Sequence, residues 1–177
     1  SGDGVLSPVD ALNVINHLNA AHAEEVSLLR RHQIEVQDLQ PIATGLIEAL
    51  RSAGLAADAV ERLQSVDFVI GDLPGGTLAE TVGRTVYVDS NAAGWGWYID
   101  PKPADSLAFD SSIPANQSSR VDLLSTLAHE FGHVLGVEDS VATDLSFMEP
   151  RLEAGQRTIS NALLDRLLVE LLDEDLF

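Results

Sequence analysis

The sequence contains no cysteine, which excludes disulfide staples, thiolate metal sites, a catalytic thiol and a cysteine-based latency switch. Cationic side chains are scarce: 10 Lys and Arg stand against 28 Asp and Glu, a formal net charge of −18. Such a field repels polyphosphate and anionic lipid, so neither nucleic acid nor a membrane surface is expected as a partner. No run approaches the roughly 20 apolar residues that span a bilayer. The opening Ser1-Gly2-Asp3-Gly4 lacks the charged and apolar regions of a signal peptide, so the chain reads as a mature fragment; a monomer without membrane insertion is expected. Aromatic residues are few, at 5%, and Met148 is the single methionine. What is present is apolar enough: 177 residues with 45% hydrophobic content can bury one substantial core.

Helical and strand patterns divide the chain. Ser7 and Pro8 open a first helix with Leu12, Ile15 and Leu18 on one face. A polar, helix-permissive connector follows as far as Gln40. Pro41 then starts a firmer helix carrying Ile42, Leu46, Ile47 and Leu50, stopped at Gly54, and Ala56 to Gln64 forms a short one. Strands are predicted at Val66–Ile70, Thr85–Val88 and Trp97–Ile99, and Asp100 to Ser119 reads as a loop rich in Pro, Ser and Asp. Two helices close the chain, Val121–Leu135 and one capped by Ser160 with Leu163, Leu164, Leu167, Leu168 and Leu171. This order gives an α+β class with a small sheet packed on helices.

The chemistry concentrates in the first of those closing helices. His129-Glu130-Phe131-Gly132-His133 sets two imidazoles one turn apart on a single face. Glu130, beside the first of them, reaches a water at the metal rather than the metal itself, the role of a general base. Gly136 ends the helix three residues later, and Asp139, three further on, can swing back as a third ligand. Glu138 is the rival for that position. Three protein ligands leave a fourth zinc position open, the arrangement of a catalytic site.

The run from His129 to Asp139 resembles the metzincin consensus in its aspartate-ended, snapalysin-like variant. Ser146-Phe147-Met148-Glu149-Pro150 stands where that clan has its Met-turn. Asp72-Leu73-Pro74-Gly75, Thr85 to Asp89, Ala92 to Pro101 and Asp122-Leu123-Leu124 extend the resemblance to the matrixin-like domains of large bacterial extracellular proteins. It implies a zincin fold: a small twisted, mostly parallel sheet with an edge strand over the cleft, packed on the active-site helix and a C-terminal helix. The edge strand would be the one at Trp97 and Tyr98, binding an extended substrate by β-addition. It also implies one catalytic zinc; the second, structural zinc that matrixins commonly hold through further histidines is not expected here, because the other histidines, His17, His22 and His32, all lie near the start. Calcium could take that place through Asp89, Asp100, Asp105 or Asp110.

Asp3-Gly4-Val5-Leu6-Ser7-Pro8-Val9-Asp10 is similar to the second half of a dockerin-type EF-hand loop, with Asp3, Ser7 and Asp10 offering oxygens to Ca²⁺. The first carboxylate of such a loop falls before Ser1. A complete repeat would dock a cohesin-like partner. Residues 1–20 are thus expected to form the partial repeat, residues 21–40 a connector or a pro-segment with Asp38 or another carboxylate near the metal, and residues 41–177 the catalytic domain. The resulting expectation is an extracellular or cell-surface zinc endopeptidase acting on protein substrates. The alternative is a non-catalytic or latent adhesion or scaffold module.

Overall fold

The computed structural model describes residues 33–100, 113–139 and 146–174. Asp3, Ser7 and Asp10, the connector as far as residue 32, and Asp105 and Asp110 lie outside the described residues.

Helix α1 spans Val36–Ala53 and begins five residues before the Pro41 expected near its start. The reason is a capping box. The Glu35 side chain accepts from the backbone of Asp38, whose carboxylate accepts from Glu35 N at 2.8 Å. Asp38 therefore serves the helix end, and the expectation that it reaches a metal is not met. Pro41 sits inside the helix and deletes one backbone hydrogen bond there. The apolar stripe outweighs that loss: Leu39, Ile42, Leu46 and Leu50, at helical spacing, are at most 1% exposed. Ile34 and Leu39 belong to this core, and Ile34 N donates to Ser90 O at 2.9 Å. The compact unit accordingly starts at Ile34, seven residues before the predicted boundary at Pro41.

Helix α2 (Ala57–Gln64) leads into a three-stranded sheet of β1 (Asp67–Gly71), β2 (Ala79–Val82) and β3 (Thr85–Asp89), in the order β1-β3-β2. β1 runs parallel to β3 and β2 antiparallel to it, so this sheet is mixed. Val86 and Val88 of the central strand are fully buried. The Trp97 strand does not join this sheet. β4 (Trp97–Tyr98) pairs in parallel with β5 (Val121–Asp122), a separate two-stranded ladder.

Helix α3 spans Leu123–Leu135. It starts two residues later than expected because Asp122 is its N-cap, accepting from Ser125 N at 3.2 Å and Ser125 Oγ at 2.7 Å. Leu123, Leu124, Leu127 and Phe131 are at most 1% exposed. They are buried because α3 runs between α1, α2 and β2 and carries the turn at Ser146–Met148 against it. Helix α4 (Asn161–Glu174) closes the unit, with Leu164 and Leu167 buried on the face α1 meets. The architecture is α+β, with mixed strands and helices around one core.

Candidate metal centre

Helical spacing on α3 places His129 and His133 edge to face, with Nε2 atoms 3.0 Å apart. Gly136 then takes a left-handed φ of 100° that a side chain would resist, and donates to His133 O. Val137 N returns to Gly132 O at 3.0 Å, which folds the chain under the helix end. Asp139 arrives with Oδ1 3.2 Å from both His129 Nε2 and His133 Nε2. Glu138 stays exposed and outside this group.

Hydrogen bonding fixes what these nitrogens can do. His129 Nδ1 lies 2.9 Å from Phe147 O, and His133 Nδ1 lies 2.8 Å from Val137 O. A carbonyl can only accept, so both Nδ1 atoms carry the proton, and each ring in its neutral form turns an Nε2 lone pair inward. Two nitrogen lone pairs and a carboxylate oxygen then face one another at 3.0 to 3.2 Å, an arrangement that repels unless a cation sits among them. A tetrahedral zinc with bonds of about 2.0–2.1 Å holds its donors about 3.3 Å apart, so the residues fit that ion. The Asp139 side chain is half exposed and those of His129 and His133 partly so, leaving a side open to solvent.

Glu130 points from the same helix and is 4% exposed. Thr81 on β2 donates from Oγ1 to Glu130 Oε2 at 2.7 Å. Burial pushes the Glu130 carboxyl above its ordinary value; the Thr81 bond and the two histidines pull it back, and Asp139 raises it. Beneath the centre, Met148 is fully buried. A Cβ at Gly132 would collide with Met148 Sδ and Cε, so glycine at this position lets the turn pack directly on the helix. The same turn supplies the carbonyl of Phe147 that orients His129.

Two depressions flank the centre. One, of about 550 Å³, runs between Thr77–Ala79 and Glu149–Glu153; the other, of about 530 Å³, is bordered by Glu80, Thr81, His133 and Asp139. Both include Ala79, His129, Glu130 and Pro150, so β2 follows the cleft. Trp97 and Tyr98 line neither. Trp97 is 2% exposed and spends its indole N–H on Asp89 O at 2.8 Å, while Tyr98 lies under the Arg157 guanidinium at 5.7 Å. The expectation that these two rings bind substrate is therefore corrected: they pack the interior, and the strand at the cleft is β2.

The calcium expectation fails at both described carboxylates. Asp89 is fully buried and accepts from Leu73 N, Asn91 N and Ala93 N at 2.8 to 2.9 Å, holding the left-handed turn at Ala92 and Ala93. Asp100 is paired with Arg157 at 3.1 Å.

Compared with protein-family models, with curated proteins and with solved structures, the chain matches none.

Two features lay beyond the sequence reading. Thr81 went unseen because Ala79-Glu80-Thr81-Val82 is a weak strand pattern. The signal that could have found it is the two-residue Gly83-Arg84 loop, with Gly83 at φ 63° and Val82 paired with Thr85. The second is Arg157. Its Nε and Nη2 meet Asp122 at 2.9 Å each, and Nη1 meets Asp100. Ser125 Oγ, which donates to Asp122, accepts from Thr158 N at 2.9 Å. This buried knot ties β4, β5 and the start of α3 to the segment before α4.

Proposed function

We propose that this chain is a zinc-dependent endopeptidase of metzincin type, resembling matrixin-like domains with an aspartate-ended ligand set. The observation that carries the reading is the convergence of two Nε2 lone pairs and Asp139 Oδ1, with a buried carboxylate one residue from the first ligand. When bound there, zinc supplies Lewis acidity, polarising a peptide carbonyl and acidifying water.

The chain's own residues supply the rest. His129, His133 and Asp139 hold the ion, and the carbonyls of Phe147 and Val137 fix the two rings in the ligating tautomer. Glu130, ionised, accepts a proton from the attacking water and passes it to the leaving nitrogen, a role worth about 10²- to 10⁴-fold. β2 is an edge strand, paired only with β3 among the described strands. Its other edge suits an extended peptide, aligned by backbone hydrogen bonds across the cleft. The α+β architecture, the fully buried Met148 below the helix and the edge strand beside it support the zincin comparison. An extracellular protein substrate, and a cohesin-like partner for the dockerin-like start, belong to the same proposal.

The test is hydrolysis of casein or gelatin by the zinc-loaded full chain and by Glu130→Ala at matched zinc content. We expect cleavage by the first and a loss of about 10²-fold or more in the second. Zinc uptake without cleavage of any protein, from the full chain or a version starting at Ile34, would instead support a scaffold module.

A further inference from the structure

Thr81 has a place that no feature of the zinc motif requires. β2 alternates between half-buried Ala79 and Thr81 and exposed Glu80 and Val82. Thr81 stands opposite Val86, which is fully buried. Residues directly opposite on an antiparallel pair share a face, so the Thr81 side chain projects toward the helix-packed side of the sheet. There its hydroxyl meets Glu130 twice, at 2.7 Å from Oε2 and 3.3 Å from the backbone carbonyl. One hydroxyl proton cannot serve both fully, and the short bond to a carboxylate is the stronger. Glu130 is 4% exposed, so water competes poorly for the same oxygen.

On the peptidase reading above, we propose that Thr81 is the positioning residue for Glu130, anchoring the general base to the strand on which substrate pairs. The bond fixes the carboxylate at Oε2 and leaves Oε1 to take the proton of the attacking water. A β-branched side chain in a strand has few rotamers, which makes Thr81 a stiff anchor. Docking of a peptide along β2 and orientation of the base are then coupled through a single residue. Its hydroxyl acts on the base, not on zinc, so its removal lowers turnover while leaving the metal and substrate affinity in place.

Thr81→Val keeps the shape and the strand preference but deletes the hydroxyl; Thr81→Ser keeps the hydroxyl. Zinc content by metal analysis should equal wild type in both. Peptide hydrolysis should show kcat reduced about tenfold or more in Thr81→Val, the scale of a hydrogen bond to a charged group, with KM little changed. Thr81→Ser should recover most of the rate. A second readout needs no activity: a urea double-mutant cycle of Thr81→Val with Glu130→Ala on the metal-free chain. The midpoint shift caused by Thr81→Val should shrink toward zero once Glu130 is Ala.

Additive midpoints would mean that Thr81 serves the helix backbone alone and would overturn the proposal. So would a Thr81→Val enzyme of wild-type kcat, or a Thr81→Ser enzyme as slow as Thr81→Val. Coupled midpoints in a wild type that cleaves nothing would sink the peptidase reading, and the positioning role with it. Cleavage by wild type with uncoupled midpoints would sink the Thr81 proposal alone.

Discussion

Glu130 is buried before any ion is considered, and that has a consequence in the metal-free protein. Burial is the main cause of its raised carboxyl value. Stability gained by holding the proton is fully present below the ordinary glutamate value of about 4.3, where folded and unfolded chains are both protonated. It is lost as pH rises, because the unfolded chain ionises first, until the folded carboxyl has ionised as well. Glu130→Gln cannot ionise. Without metal it should therefore gain on wild type as pH climbs from 4 to 8, a trend that urea unfolding at stepped pH would reveal. A constant difference across that range would show that burial of the charge costs nothing here. Gly132 gives a second test. Alanine in a helix interior is worth up to about 1 kcal/mol over glycine, but overpacking a filled core costs about 1–3 kcal/mol. Gly132→Ala should thus destabilise the wild type, and should stabilise a Met148→Ala background, where the colliding sulfur is gone. Thermal unfolding of the four proteins would show this reversal of sign.

Helix α3 carries both histidines and Glu130, so what fixes its start fixes the site. The Asp122 carboxylate is fully buried and shared between the helix N-cap and a bidentate Arg157, whose side chain is 4% exposed. Removing one partner of a buried pair leaves the other charge uncompensated, at a cost of about 3–5 kcal/mol. Arg157→Ala should show that loss in denaturant unfolding. Arg157→Lys should recover only part of it, since an ammonium cannot span both Asp122 oxygens and still reach Asp100. Full stability in Arg157→Ala would mean that the helix start is held by the N-cap alone.

At the scale of the whole molecule, metal and fold should be linked. The three donors are brought together by α3 and the turn after Gly136, so the unfolded chain presents no such set. Zinc at a hundredfold excess over Kd should add about 2.7 kcal/mol, seen as a rise in Tm that a chelator reverses. Asp139→Ala should abolish most of that rise, because two histidines do not make a tetrahedral catalytic site. Glu138→Ala should retain it. The opposite pattern would transfer the third ligand to Glu138.

The parts of this protein that the sequence alone determined are those built from contiguous residues. The i, i+4 histidines, the glycine that ends their helix and the aspartate three residues beyond form one local excursion, so their convergence follows from helix geometry and a single left-handed turn. The buried stripe of α1, from Ile42 to Leu50, was legible for the same reason, as was α4. Neighbours distant in the chain were left to the tertiary structure. Thr81 and Glu130 are 49 positions apart and Arg157 and Asp100 are 57 apart, and no periodicity encodes such a meeting. Trp97 looked like a substrate platform because an aromatic strand has two faces, and only packing decides whether either of them sees solvent. Here its indole N–H is consumed by Asp89 O, and the open edge passes to β2, whose weak local pattern is stabilised by pairing with β3 and by the helix beside it.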